Sequence, residues 1–86
     1  MAAKTVTVRY FASIREAVGR DHERVSTHAA TLAALREELI ARGAPWAECL
    51  AVGRAVRMAV DQLMAHDDAA LPDGAEVAFF PPVTGG

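Results

Sequence analysis

Residues 31–42 read Thr-Leu-Ala-Ala-Leu-Arg-Glu-Glu-Leu-Ile-Ala-Arg, and they have the pattern of an amphipathic helix. Thr31 suits the N-cap of a helix, and Gly43 suits the position just beyond its C-terminus. Glu38 and Arg42, one turn apart, are expected to pair on the exposed side. The apolar residues recur at helical spacing and give the helix one apolar face: Leu32, Leu35, Leu39 and Ile40.

Runs with the character of β-strands lie on both sides of this predicted helix. Alternating apolar and polar side chains, or short apolar runs between turn residues, predict strands at 4–11, 22–27, 55–60 and 76–80, with an edge strand at Leu63-Met64. A helix between strands must bury its apolar face against the sheet that they form. We therefore predict an α+β fold in which one sheet is crossed by one main helix. The opposite face of the sheet is left free to meet water or a partner.

Composition limits the class of protein. The chain has 86 residues, 52% of them hydrophobic, which is typical of one small globular domain. A net charge of −2 argues against a nucleic-acid surface. The single Cys49 has no internal disulfide partner, which fits a reducing compartment. No secretory signal and no apolar run of the ~18 residues that a membrane span needs is visible, so we expect a cytoplasmic protein that contacts neither nucleic acid nor membrane.

The residue types that carry chemistry are scattered along the chain. His22, His28 and His66 do not share the spacing of metal ligands, and no glycine-rich nucleotide loop is present. Cys49 lies in an apolar helical turn, where a small buried side chain is expected. The sequence therefore predicts no metal site, no cofactor bound by this chain and no catalysis by this chain alone.

The sequence ends in Phe79-Phe80-Pro81-Pro82-Val83-Thr84-Gly85-Gly86. Proline removes a donor from the sheet, so the last strand should stop at Phe80. Consecutive prolines favour a stiff extended path, and six residues reach at most about 20 Å. Glycine has no Cβ, so a C-terminal Gly86 carboxylate fits a narrow slot. We predict a folded domain over 1–80 and a flexible Gly-Gly tail over 81–86.

Three segments resemble the family of the molybdopterin synthase small subunit. Residues 73–86 resemble the C-terminus of that family, residues 8–16 its first strand and turn, and residues 31–36 the start of its helix. The resemblance covers nearly the whole chain and is most specific at the tail, whereas residues 43–55 depart from the pattern. It implies a ubiquitin-like β-grasp fold and a sulfur carrier.

The resemblance also implies a reaction sequence at Gly86. An adenylating, E1-like enzyme would use ATP to activate the Gly86 carboxylate, and a sulfurtransferase or cysteine desulfurase system would displace AMP to leave a thiocarboxylate. The tail would then enter the large subunit of a heterotetrameric synthase and give its sulfur to cyclic pyranopterin monophosphate, in molybdenum cofactor biosynthesis. The residues expected in the tunnel of that partner are Pro81, Pro82, Val83, Thr84 and Gly85.

Three other functions share a Gly-Gly end. A thiazole-type sulfur carrier of thiamine biosynthesis has the same fold, and a ubiquitin-like modifier would be conjugated to lysines of other proteins. A plain interaction module with a frayed tail needs no chemistry at all. The approach Phe-Phe-Pro-Pro-Val-Thr favours the molybdopterin type.

Strand alternation predicts a partner surface on the face of the sheet opposite the helix. Phe11 and Phe80 both fall on that face, and the first and last strands of a β-grasp sheet are neighbours, so the two rings should lie close together. Leu63 is expected to extend this patch. Exposed apolar clusters mark binding sites, and aromatic anchors carry much of the interface energy. We therefore expect Phe11, Leu63 and Phe80 to dock on the large subunit.

Overall fold

The computed structural model describes residues 3–51 and 54–82. All the predicted strands and the main helix are present, and the differences lie at their ends. The elements in chain order are β1 (Lys4–Tyr10), α1 (Ala12–Val18), β2 (His22–Thr27), α2 (Leu32–Ile40), α3 (Trp46–Cys49), β3 (Arg57–Val60), β4 (Leu63–Ala65) and β5 (Glu76–Phe80). The third strand thus begins two residues later than predicted.

The described strands form one mixed sheet in the order β2-β1-β5-β3-β4. The central pair, β1 and β5, is parallel, and the other pairs are antiparallel. The first and last strands are therefore neighbours, as predicted, and β5 carries the chain out of the middle of the sheet. This arrangement confirms the α+β prediction of one mixed sheet crossed by one main helix.

The core lies between α2 and one face of the sheet. Leu32, Leu35 and Leu39 of α2 are fully buried, as are Val8 and Phe79 on the facing strands. Burial of one such side chain contributes about 1.5–3 kcal/mol. The helix begins where predicted, because the Thr31 side chain accepts a hydrogen bond from the Ala34 amide at 3.2 Å. The periodicity of α2 therefore determines which side of the helix packs against the sheet.

Two cations bind backbone carbonyls rather than acids. The Lys4 ammonium donates to the carbonyls of Ala29 and Leu71, at 2.8 and 2.6 Å. The buried Arg36 guanidinium donates to the carbonyls of Leu50 and Ala51, at 2.7 and 2.8 Å. Lys4 thus connects the loops that precede α2 and β5, while Arg36 satisfies carbonyls at the C-terminal end of α3.

A polar cluster around the Glu23 carboxylate connects the sheet to α3 and to the loop that follows α2. That carboxylate accepts a hydrogen bond from the Tyr10 hydroxyl at 2.6 Å, and two from Arg42 at 2.9 and 3.1 Å. The indole of Trp46 donates to the Tyr10 oxygen at 3.1 Å, and the Arg42 guanidinium lies 4.8 Å from the centre of the indole ring. Arg42 therefore pairs with Glu23 across the fold, whereas Glu38, its predicted partner, accepts from Thr27.

The Glu23 cluster predicts a specific loss of stability in acid. Burial of the Glu23 carboxyl opposes its ionisation, but hydrogen bonds from Tyr10 and Arg42 outweigh burial and hold its pKa below the ordinary value. A depressed pKa in the folded state stabilises the protein above the unfolded pKa, and this contribution disappears as pH falls through the folded pKa. We expect Glu23→Gln to lower the urea midpoint at neutral pH and to approach the wild type in acid.

The matched control is Glu16→Gln, because Glu16 is exposed on α1. Urea titrations at a series of pH values should show the wild-type pH dependence in this control. A constant difference between Glu23→Gln and the wild type at every pH would contradict the role given to the Glu23 carboxylate.

Candidate functional site

The root of the tail follows directly from the central strand. Strand β5 ends at Phe80, as the two prolines predicted. Pro81 and Pro82 are half-buried and irregular, so the arm begins against the body of the domain rather than projecting from it. Their predicted place in the tunnel of a partner stays a prediction. Val83, Thr84, Gly85 and Gly86, the rest of the predicted tail site, lie outside the described residues.

Two aromatic rings meet on the face of the sheet that α2 does not cover. The Phe11 and Phe80 ring centres are 6.3 Å apart and the planes stand at 89°, which is the edge-to-face arrangement. Phe11 is 42% exposed and Phe80 is half-buried. This confirms the predicted position of both rings. Together with small and flexible neighbours they line a shallow groove, which we call the aromatic patch: Phe11, Ala59, Met64, Ala78 and Phe80.

Leu63, the third residue predicted for this surface, lies in the wrong row of the sheet. It is paired with Val60, which is paired with Val77 in the row that faces α2. Side chains directly opposite one another share a face, so Leu63 belongs to the helix side. It is 73% exposed because β4 is the edge strand. The predicted placement of Leu63 in the patch is therefore wrong.

Met64 takes the position that we had given to Leu63. It is paired with Ala59, which is paired with Ala78, so that all three lie on the uncovered face. Met64 is 63% exposed, and its unbranched thioether side chain is flexible. The sequence could have predicted this placement. A two-residue turn after Val60 pairs Val60 with Leu63, so the two side chains lie on the same face and Met64 lies on the other.

Charged groups border the aromatic patch. The Arg9 guanidinium lies 3.3 Å from the Glu76 carboxylate and 5.9 Å from the centre of the Phe11 ring. Both charged side chains are exposed enough for water to screen the ion pair, so it contributes little to stability. An apolar centre inside a polar border is the usual anatomy of a protein–protein interface.

The other candidate groups do not form a site in the part of the chain that the structure describes. Within residues 3–51 and 54–82, no cluster of three or more His, Cys, Asp or Glu side chains is arranged to hold a metal ion. Cys49 is buried, as predicted, and burial raises the pKa of its thiol, which makes it a poor nucleophile. None of the helices described is long and apolar enough to cross a membrane.

The chain is similar to known proteins over almost its full length. It is 44% identical over 81 residues to the molybdopterin synthase sulfur carrier subunit of Escherichia coli, which covers 94% of this chain and 99% of the relative. The crystal structure of SAMP1 from Haloferax volcanii superposes with a TM-score of 0.78 and 26% identity, over 95% of this chain and 99% of that one.

A second similar structure contains a complex. It is the protein–protein complex of subunits 1 and 2 of the molybdopterin-converting factor from Helicobacter pylori, with a TM-score of 0.64 and 24% identity over 95% of this chain and 99% of that chain. At 24% identity, the similarity to this structure shows the fold alone. The model of the ThiS family matches residues 8–86, which include the whole tail. The chain belongs to the ThiS family.

Proposed function

We propose that this chain is the sulfur carrier subunit of a molybdopterin synthase, with the Gly86 carboxylate as the group that carries sulfur. The observation that carries the proposal is the 44% identity to a molybdopterin synthase sulfur carrier subunit over nearly the full length of both chains. The similarity favours this function over a thiazole-type carrier, because the relative named is of the molybdopterin type.

The path of the backbone supports a carrier whose C-terminal tail enters a partner protein. Phe80 belongs to the aromatic patch and is the last residue of β5, and Pro81 follows it at once. A protein that binds over Phe80 therefore also lies close to the start of the tail at Pro81. Docking on the patch fixes the root of the arm, and the arm carries its end into the partner. The carrier thus supplies position, and the partner supplies the catalytic groups.

The chemistry of the end requires activation before sulfur can be attached. An α-carboxylate has a pKa near 3.3–3.7, so it is ionised at neutral pH and resists attack by a nucleophile. In the proposal, the carboxylate attacks the α-phosphorus of ATP, and pyrophosphate leaves. A persulfide sulfur of the donor protein then attacks the acyl-adenylate carbon and AMP leaves, which gives an acyl disulfide. A second thiol of the donor system attacks the donor's own sulfur, so that the S–S bond breaks, a disulfide forms on the donor and the thiocarboxylate is released. The adenylating enzyme and the sulfurtransferase or desulfurase are separate proteins.

The proposed docking partner is the large subunit of the synthase. In the Helicobacter pylori structure, subunits 1 and 2 of the molybdopterin-converting factor form a complex. The aromatic patch supplies a matching surface on this chain, since it is apolar, concave and bordered by charge. We infer that the same patch also contacts the activating enzyme, because both partners must receive the same tail.

Intact-mass measurement tests the loading step. After incubation with ATP, the adenylating enzyme and a sulfur source, the mass should rise by the difference between one sulfur and one oxygen atom. Omission of ATP should leave the mass unchanged. If an enzyme system that loads a known carrier of this type left the chain at its original mass, the proposal would fail.

The alternation of side chains along β4, which places Met64 and Leu63 on opposite faces of the sheet, gives a second test of the docking surface. Met64→Ala should weaken binding of the large subunit, by about 1 kcal/mol, because it removes a contact from the uncovered face. Leu63→Ala removes a side chain of the same edge strand that is somewhat more exposed and lies on the helix side of the sheet, so it should leave the affinity unchanged. Isothermal titration of both variants checks this. A larger effect at Leu63 than at Met64 would show that the partner binds at the helix side of the edge strand.

A further inference from the structure

The turn between β3 and β4 has an unfavourable residue at its second position. Asp61 and Gln62 have φ angles of 51° and 72°, both in the left-handed region. Two-residue hairpin turns with positive φ favour Asn-Gly or Asp-Gly, because glycine adopts this region without a steric penalty. Asp61 fits the pattern, whereas Gln62 stands where glycine would be more stable.

Asp61 has a structural role that accounts for its presence. Its carboxylate accepts a hydrogen bond from the Glu76 amide at 3.0 Å, and its own amide donates to the Glu76 carbonyl at 2.8 Å. These bonds fasten the turn to the start of β5. Among the hydrogen bonds of the described residues, none involves the Gln62 side chain. Contacts within the described fold therefore account for Asp61 but not for Gln62.

The position of Gln62 offers a reason for its presence. Gln62 is exposed and lines the groove of the aromatic patch beside Met64, Ala59 and Phe80. Its amide carries two donors and an acceptor at the border of an apolar surface. Strained backbone that persists in a stable fold is concentrated at functional sites. At an interface border, such an amide is well placed to pair with backbone groups of a docked protein.

We propose that Gln62 is a partner-recognition residue, whose side-chain amide hydrogen-bonds to the protein that docks on the aromatic patch. The chain keeps glutamine in a turn that favours glycine because the amide contributes to binding. This inference rests on the proposed function, since its partner is the large synthase subunit. It adds a polar, orienting contact to a surface that is otherwise apolar at its centre.

The decisive variant is Gln62→Gly, which converts the turn to Asp-Gly. It relieves the strain and removes the amide, so two properties should move in opposite directions. The melting temperature of the free chain should rise by a few degrees. The dissociation constant for the large subunit should increase roughly fivefold, the effect of one lost hydrogen bond. A residue with a purely structural role would not lower affinity while raising stability.

Two further variants separate strain from recognition. Gln62→Ala keeps the strain and removes the amide, so it should bind as weakly as the glycine variant without the gain in melting temperature. Gln62→Asn accepts positive φ more readily and keeps a shorter amide, so it should retain part of the affinity. The inference is overturned if Gln62→Gly binds the large subunit as tightly as the wild type, or if its melting temperature does not rise.

Phe80→Ala in the same titration distinguishes a wrong role for Gln62 from a wrong docking surface. If Phe80→Ala weakens binding and Gln62→Gly does not, only the role of Gln62 is wrong. If neither variant changes the affinity, the aromatic patch is not the docking surface, and both proposals about this surface are wrong. If the wild-type chain does not bind the large subunit, the proposed function fails together with the inference.

Discussion

Deletion of Gly86 is expected to abolish sulfur loading, with no gain in intact mass under conditions that load the wild type. The deletion leaves a carboxylate on Gly85 that is chemically equivalent, so the loss must come from reach. One residue shortens an extended arm by about 3.5 Å. A misplacement of about 1 Å in a reacting group can cost about a hundredfold in rate. We therefore expect the shortened arm to stop short of the α-phosphorus of ATP.

Gly86→Ala is the companion variant for this experiment. It keeps the carboxylate at the same distance along the arm and adds one methyl group. If the end of the arm enters a slot shaped for glycine, this variant should load slowly, between the wild type and the deletion. Normal loading of the deletion variant would show that Gly86 does not carry the reacting carboxylate.

Truncation of Phe80 has the second-largest expected effect. Phe80→Ala should weaken binding of the large subunit by about 2 kcal/mol or more, which is roughly thirtyfold in the dissociation constant. Phe80 is half-buried on the uncovered face, so little of the core depends on it. Calorimetric titration and a melting curve of the same preparation measure both properties.

Phe79→Ala is the matched control, since it removes the same side chain from the opposite face of the same strand. Phe79 is fully buried and stacks on Tyr10, with the ring centres 6.5 Å apart. Its truncation should cost about 3–5 kcal/mol of stability. The prediction would be contradicted by an unchanged affinity for Phe80→Ala. It would also be contradicted by a fall in melting temperature as large as that for Phe79→Ala, because Phe80 would then be a core residue.

Periodicity made most of the fold predictable. The leucines of α2 define one apolar face, and a helix between strands has few ways to bury such a face, so the arrangement of α2 on a sheet follows from local pattern. The positions of Phe11 and Phe80 follow from alternation along β1 and β5. These features depend on neighbours in sequence, which is why they were predictable.

The features that were missed depend on residues distant in sequence. Arg42 was assigned to Glu38 one turn away, but the fold brings Glu23 of β2 within hydrogen-bond distance. Lys4 and Arg36 bind carbonyls of loops whose positions no local pattern specifies. Leu63 was misplaced because its strand was given no register, and a register error of one residue moves a side chain to the other face.

The function of the tail was predicted from family resemblance, whereas the fold was predicted from local sequence pattern. No contact of the described residues identifies Gly86 as a reacting group, and its assignment comes from the resemblance of residues 73–86 to a family of sulfur carriers, supported by a family match through residue 86. What the structure adds is the connection between the aromatic patch and the tail, since Phe80 belongs to the patch and Pro81 begins the arm.

Transfer of sulfur in a single turnover is the direct test of this chain as the sulfur donor of a molybdopterin synthase. The chain, loaded as its thiocarboxylate, is mixed with the large subunit and cyclic pyranopterin monophosphate, without ATP or a sulfur source. We predict that molybdopterin forms while the carrier returns to its unloaded mass, with two carriers unloaded for each molybdopterin formed, because its dithiolene holds two sulfur atoms and each carrier delivers one. A carrier that keeps its sulfur, or loses it to water with no molybdopterin formed, would contradict the account.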